Sequence, residues 1–339
     1  MDFNKASVTV IVCTYNRSEM LREALKSLVA QETAGSLSYE ILIVDDASTD
    51  NTENVVREIS RRSHVPIRYV LGEGKGIAAA RNRGLSESSS GWIAYFDDDQ
   101  LADPGWLREL YACAFDTGAG CVGGRRVLDL PQERVARLAR TFRNLLGEVD
   151  LGSERKKCGR KEFPGAGNLL LKRSVFDVAG RFDESHARAG EDTELAQRMR
   201  SAGIFTWYAP AAVARHMTPE YRLKEHYMVW TSQRVGDNFA YRDYLEWGLA
   251  RTTLACIARI GRAVMITTPI FVLAWMRGDE ARLLEQKCLL WRAVGYTMHA
   301  FHRLMPRLVQ PDRFFSRLEF RKERQTFSSG SNGSERAAG

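Results

Sequence analysis

Apolar positions in the first hundred residues follow two alternating rhythms. Residues 8–13, 40–44, 67–71 and 92–96 are short runs rich in Val, Ile, Leu and aromatic side chains, the composition of buried strands. Between them, Met20, Leu21, Ala24, Leu25, Leu28 and Val29 recur at helical spacing, and Val55, Val56 and Ile59 do the same. Residues 78–85 form a third helical stretch. Strands and helices alternating in this way predict an α/β fold with a mainly parallel central sheet covered on both faces. Asp103 before Pro104 reads as a helix start, an N-cap acceptor followed by a proline whose missing N–H costs nothing there. Leu107 and Leu110 would be that helix's buried side.

Beyond Cys121 the rhythm becomes irregular. Residues 125–161 are charged and helical in tendency, and residues 165–171 read as a Gly-rich turn into an apolar strand. Residues 191–202 form a helix closed by Gly203. After Thr218 the pattern is helical nearly to Arg324, and residues 328–339, rich in Ser and Gly, read as disordered. There is no internal repeat.

Size and charge narrow the picture. With 339 residues, 44% of them hydrophobic, the chain suffices for one large α/β domain and an appendage. The net charge of +7 is uneven: residues 303–324 hold seven Arg or Lys against three Asp or Glu. Such a tail suits nucleic acid or an anionic membrane on charge alone. The six cysteines include no C-x-x-C pair, which excludes the usual zinc patterns and points to a reducing, cytoplasmic compartment. Residues 1–7 carry charges and run into a strand, so no signal peptide is expected. The nearest approach to a membrane span, residues 263–276, is broken by Thr267, Thr268 and Pro269, and no spanning helix is expected.

The candidate chemistry follows the strands. Thr14-Tyr15-Asn16-Arg17 comes after the first, Asp45 to Asp50 after the second, Gly72 to Gly76 with Arg81 and Asn82 after the third, and Asp97-Asp98-Asp99 after the fourth. In a parallel sheet these positions converge on one edge, where ligands bind. Three adjacent carboxylates fit either a solvated turn or a cation site. In the second case Asp97 and Asp99 would face one site and hold Mg²⁺ or Mn²⁺, ions that take oxygen ligands. Gly72-Glu73-Gly74-Lys75-Gly76 is not a P-loop: Gly76, not Ser or Thr, follows the lysine, and the segment trails the third strand.

These segments resemble the inverting family-2 glycosyltransferases. The similarity lies in residues 10–17, in Ile43-Val44-Asp45-Asp46-Ala47-Ser48-Thr49-Asp50, in Gly76 to Gly84, and in Phe96-Asp97-Asp98-Asp99, which is similar to the family's D-x-D motif. It continues through Gly165-Ala166-Gly167-Asn168, Gly180 to Glu184 and Gly190-Glu191-Asp192-Thr193-Glu194-Leu195. Cys13 departs from it, since proline or serine is common there. The resemblance covers residues 7–236 and implies a GT-A fold, with a nucleotide-binding half over 7–123 and an acceptor half over 124–236. A helical extension over 237–325 and a tail over 326–339 would follow.

What the resemblance implies is a hexosyltransferase-type, inverting transfer of sugar from a nucleoside diphosphate, UDP by expectation, to a hydroxyl acceptor on a glycan or lipid-linked carrier, in polysaccharide or glycoconjugate assembly. Thr14, Tyr15, Asn16, Asp45, Gly76, Arg81, Asp97 and Asp98 would line the nucleotide sugar, with Asp45 accepting from a uracil-like N–H. Asp98, on the alternate face, is the most structural of its triplet. Asp97 and Asp99 would hold Mg²⁺ or Mn²⁺, with His216 binding metal or diphosphate unless it is simply a packed histidine. Gly167 and Asn168 fall on the acceptor side. Glu191-Asp192 would be the catalytic acidic pair, with Asp192 the base; the alternative is favourable charge on a helix N-terminus.

Two other functions fit the sequence less well. A sugar-phosphate nucleotidyltransferase needs a Gly-rich loop with Arg and Lys after the first strand, which Thr14 to Arg17 do not provide. A non-catalytic assembly protein with a decayed site sits poorly with the presence of Asp45, Asp97, Asp99 and Asp192. In the helical third, apolar and aromatic residues beside Arg251, Arg259 and Arg262 suit either packing or contact with an anionic membrane at the inner face of the cell. Nothing base-reading accompanies the basic tail, so no nucleic-acid partner is expected.

Overall fold

The computed structural model describes residues 6–159, 162–185 and 190–305. They divide into two compact units: the residues up to Asp129 together with Val149–Met217, and Leu130–Glu148 together with those from Thr218. The second unit resumes after Met217, where the last strand ends.

The first unit runs β1 (Ala6–Thr14), α1 (Ser18–Val29), β2 (Leu37–Asp45), α2 (Thr52–Arg62), β3 (Ile67–Leu71), α3 (Ile77–Glu87), β4 (Trp92–Asp97), β5 (Gln100–Ala102), α4 (Trp106–Thr117) and β6 (Cys121–Asp129). After α5 (Gln132–Arg137) and α6 (Arg140–Leu145), which belong to the second unit, it resumes with β7 (Lys156–Lys157), β8 (Asn168–Lys172), α7 (Ser174–Ala179), α8 (Glu191–Ser201) and β9 (Thr206–Met217). The nine strands form one sheet in the order β3-β2-β1-β4-β8-β6-β9-β5, with β7 on β9. The first four are parallel, as the alternation predicts. Beyond them the sheet is mixed. The Gly-rich turn before β8 delivers it to the C-terminal end of β4, so β8 runs antiparallel to both β4 and β6.

Alternate side chains of a strand point to opposite faces, and here both faces are buried. Val8, Val10 and Val12 pack with Leu21, Leu25, Trp106 and Leu110 on one face. Ile11, Leu42, Val44 and Tyr95 pack with Leu85, Phe176, Leu195 and Met199 on the other. Asp103 is not a side-chain cap. Its carbonyl accepts from the Trp106 N–H at 2.9 Å, while its carboxylate lies 3.2 Å from Arg215. Residues 125–129, helical by composition, complete β6.

The second unit is helical, with α9 (Glu225–Arg262), a π-helical turn over Ala263–Thr267, α10 (Thr268–Arg277) and α11 (Glu280–Leu304). Residues beyond 305, including the expected helix to 324 and the tail, lie outside the described residues. Gly248 (φ 73°, ψ 178°) interrupts the helical geometry inside α9. Thr267, Thr268 and Pro269 interrupt the apolar run but not the helix. Pro269 has no N–H to donate, and the turn before it widens. There the Thr268 hydroxyl donates to the Ala263 carbonyl at 2.9 Å. The run Glu225–Arg277 is the one helix among the described residues long and apolar enough to cross a membrane, and 11% of its apolar window is buried.

α9 and α11 cross with their backbones nearly touching. A Cβ on Gly236 would come within 2.0 Å of the Arg292 carbonyl oxygen, and one on Gly295 within 2.0 Å of the Gln233 carbonyl oxygen. Buried polar pairs flank this crossing: His299 Nδ1 with Asp237 at 2.8 Å, and the Tyr296 hydroxyl donating to Asp243 at 2.9 Å. Gly295→Ala should therefore destabilise this unit by about 1–3 kcal/mol through overpacking. Gly261→Ala, at a helical position where a Cβ meets open space, should instead stabilise it by up to about 1 kcal/mol. Thermal denaturation followed by circular dichroism should move in opposite directions for the two variants.

Candidate active site

In the strand order 3-2-1-4 the chain winds outward from β1 in one direction and then returns to add β4 on its other side. Loops leave such a switch point in opposite directions and open a crevice at the C-terminal ends of β1 and β4. Parallel register brings Thr14 level with Asp45 and Cys13 level with Asp97, so the polar turns predicted from sequence do converge there.

The three carboxylates have distinct surroundings. Asp97, with 35% of its side chain exposed, lies 3.6 Å from Arg81 and accepts from Gln100 Nε2 at 3.2 Å. Asp98 is buried and accepts from the Thr14 hydroxyl at 2.8 Å and from Arg17 Nη1 at 2.6 Å. Burial pushes the Asp98 carboxyl up to about 6, with Arg17 opposing the rise and Asp99 adding to it. Asp99, also buried, lies 3.2 Å from the same Arg17 nitrogen and 3.4 Å from His216 Nε2. Asp99 and His216 therefore meet, whereas Asp97 turns toward Arg81 and Gln100. Among the described residues no three His, Cys, Asp or Glu side chains converge as a metal cluster. The donors themselves, carboxylate oxygen with one imidazole, are of the kind Mn²⁺ or Mg²⁺ takes, and Asp97 keeps a solvent-facing side.

Arg81 ties the crevice to the second half of the sheet. It is 6% exposed, and its Nη1 lies 2.5 Å from Glu191 Oε1. Burial opposes its charge, but Glu191, Asp97 and Asp192 together raise its pKa above the ordinary arginine value. The other oxygen of Glu191 is buried without a hydrogen-bond partner among the described residues. Asp192, next in sequence and half-buried, accepts from the Ala166 N–H at 3.2 Å and from the Thr193 N–H at 2.7 Å. Gly167 lies so close to the triplet that a Cβ would stand 1.9 Å from Asp97 Oδ2. The 165–167 turn thus has Asp192 on one side and Asp97 on the other. Residues 186–189, just before α8, lie outside the described residues.

Asn168 belongs to the interior, not to an acceptor surface. It is fully buried and saturated, accepting from Trp106 Nε1 at 2.7 Å and donating to the carbonyls of Arg125 and Ala212. Asp45 is also withdrawn. It is 1% exposed and accepts from the Tyr69 hydroxyl at 2.7 Å and the Ser48 N–H at 2.8 Å. Its neighbour Asp46 accepts from the Gly76 N–H at 2.8 Å and lines a cavity of about 270 Å³ with Gly72, Lys75, Asn82 and Arg181. Tyr15 is 54% exposed, and Asn16 (φ 51°) braces the β1–α1 loop against Ser48 and Thr49. The sequence gives no role to Arg17 and Tyr69, which answer buried carboxylates, or to Gln100, which answers the half-exposed Asp97. A cation two residues after Tyr15 was the available signal for Arg17.

A sheet of this order with carboxylates at its switch point is an α/β architecture with a ligand crevice there. The chain matches the model of glycosyl transferase family 2 over residues 9–178 and belongs to that family; it is a glycosyltransferase with a GT-A fold. It is 25% identical over 238 residues to glycosyltransferase AglE of Haloferax volcanii, covering 67% of this chain and 75% of that protein. It is likewise 25% identical over 243 residues to chondroitin synthase of Escherichia coli, covering 62% of this chain but 35% of that longer protein. The fold is similar to that of the mannosyltransferase PcManGT from Pyrobaculum calidifontis in complex with GDP-Man and Mn²⁺, with a TM-score of 0.57, 19% identity, and coverage of 90% of this chain and 89% of that one.

Arg17→Ala removes the counter-charge of Asp98 and should destabilise the protein by about 3 kcal/mol at pH 8, the low end for a broken buried pair, because Arg17 is 21% exposed. The sign with pH follows from the raised Asp98 pKa. Its contribution to stability is complete below the unfolded value near 3.8 and is lost as pH rises through about 6. Without Arg17 that pKa rises further, so the deficit should shrink in acid. Denaturant titrations at pH 8 and pH 5 check this; an equal deficit at both would remove Asp98 from the account.

Proposed function

We propose that the chain is an inverting, divalent-metal-dependent transferase moving a sugar from a nucleoside diphosphate, uridine being the first base to test, to a hydroxyl on a glycan or lipid-linked acceptor. The observation that carries this reading is the shared 165–167 turn, with Asp192 against Ala166 and Asp97 against Gly167. It supports a base and a diphosphate-facing carboxylate working on one reacting centre.

In this reading Asp192 takes the proton of the acceptor hydroxyl as that oxygen bonds to the anomeric carbon. The bond from that carbon to the diphosphate oxygen breaks on the opposite face, which inverts the configuration. Asp97 and Asp99, with His216 beside Asp99, would hold Mg²⁺ or Mn²⁺, which supplies Lewis-acid stabilisation of the leaving diphosphate. Arg81 carries no substrate contact that the geometry requires; it keeps Glu191, and with it the start of α8, beside Asp97. The exposed Tyr15 ring offers a stacking surface for the base. Asp45 would reach the base only if the Tyr69 hydroxyl gave up its hydrogen bond.

The second unit suggests where this happens. Leu254, Ile257, Val264, Met265, Trp275 and Met276 are exposed on α9, the π-turn and α10. Apolar exposure of this kind suits the interface of a membrane, at its cytoplasmic face. PcManGT was solved with GDP-Man and Mn²⁺, which supports a nucleotide-sugar donor and a divalent metal but carries guanosine rather than uridine.

Titration calorimetry with UDP should give binding that strengthens when Mn²⁺ is added and loses that dependence in Asp99→Ala. Equal affinity with and without metal would sink the metal assignment. Asp192→Asn keeps the shape but cannot accept a proton, so transfer should fall about 10²–10⁴-fold while UDP binding stays intact. A near-parental rate would make Asp192 a helix-terminal charge and move the base elsewhere.

A further inference from the structure

The second unit carries a group of cations that the transfer chemistry leaves unused. A cavity of about 160 Å³ opens among α9, the π-turn and α11, and Arg259, Arg262 and Arg292 line it. Phe239, Leu289 and Tyr296 give it apolar walls, and no Asp or Glu lines it. Arg259 is partly answered from below. Its Nη2 lies 3.5 Å from Asp243, and its guanidinium stacks over Tyr296 at 4.3 Å. Asp243 is already committed, being 3.1 Å from Arg242 and accepting from the Tyr296 hydroxyl. One carboxylate therefore serves two arginines beneath the cavity, and among the described residues no carboxylate pairs with the other two arginines of the cavity.

Arg292 is the least satisfied of the three. It stands over the Phe239 ring at 5.9 Å, and its Nε is buried without a hydrogen-bond partner among the described residues. Burial pushes its guanidinium below the ordinary value, with Cys288 opposing the shift and Arg259 adding to it. Burying a donor of a charged group without a partner is costly, as is gathering like charges, and both costs fall when an anion binds. Guanidinium forks match the oxygens of a phosphate in geometry as well as charge.

We propose that Arg259, Arg262 and Arg292 form a binding site for a phosphate group, and that the phosphate is carried by a lipid head group. The walls favour that source. Ile257, Ile260 and Val264, exposed on the same helical run, would lie beside the acyl region while the arginines hold the head group. The site is independent of the transfer reading, and Asp192→Asn should leave it unchanged.

The test uses the full chain with two probes. Co-sedimentation with phosphatidylcholine vesicles, with and without phosphatidic acid, reads the lipid source, and the melting temperature in inorganic phosphate reads the soluble one. The parent should partition more strongly onto vesicles containing phosphatidic acid. Arg292→Gln should lose more of that partition than the roughly five-fold that one surface arginine gives by charge alone. Arg251→Gln, an exposed arginine of α9 outside the cavity, should lose no more than that. If Arg292→Gln folds poorly, the exposed Arg262→Gln replaces it, and Arg292→Lys should recover only part of the binding. Protection by inorganic phosphate that vanishes in these variants, with no preference for phosphatidic acid, would keep the site and make its ligand a soluble phosphate. If cavity and control variants behave alike with both probes, the site does not exist.

Discussion

Arg81 is a full positive charge held almost entirely out of water, and much of the catalytic unit is arranged to make that tolerable. Glu191 reaches it from α8 and Asp97 from the end of β4, elements far apart in sequence. Withdrawing either carboxylate would leave the buried cation only partly compensated, a strongly destabilising change. The ion pairs therefore fix the position of α8 relative to the parallel strands. They also set the spacing between the acid next to Glu191 and the triplet after β4. Arg17 performs the corresponding service for Asp98 and Asp99. In both places an arginine from an early helix or loop makes a later carboxylate possible.

The strands and first helices were legible because each apolar run is short and each is followed by polar turn residues. The convergence of those turns followed from parallel topology, without any knowledge of side-chain direction. Direction was the harder part. β2 buries both faces, so its pattern carries no alternation, and nothing in Val44-Asp45-Asp46 tells which aspartate faces inward. Tyr69 settles it from a neighbouring strand. The burial of Asn168 was hidden for a related reason. Its three partners, Trp106, Arg125 and Ala212, come from elements that no local pattern connects with it. The expectation of no spanning helix rested on hydropathy, which counts Thr267 and Thr268 as polar, while their hydroxyls are spent on carbonyls within the helix.

The helical unit reverses the usual placement of polar and apolar groups. Asp237 with His299, and Asp243 with Tyr296 and Arg259, lie within it, while Leu254, Ile257, Met265 and Trp275 face outward. In water the reverse is favoured, because buried polar groups gain little and exposed apolar surface costs. An environment that accepts apolar side chains changes that balance, and polar contacts then help specify how helices meet. The touching backbones at Gly236 and Gly295 belong to the same pattern, since small residues let helices approach without interlocking bulky side chains.

Register has a consequence for how such a protein can vary. Thr14 is level with Asp45, and Cys13 with Asp97, because β1 pairs residue for residue with β2 and β4. Side chains alternate along a strand, so adding or removing one residue inside any of the three would turn a site carboxylate to the opposite face and drive an apolar neighbour out of the core. Point changes are tolerated in these strands far more readily than changes of length. The loops between β6 and β8 carry no such phase. Lineages descended from this chain should therefore record their divergence there as insertions and deletions, and in the three strands as substitutions alone.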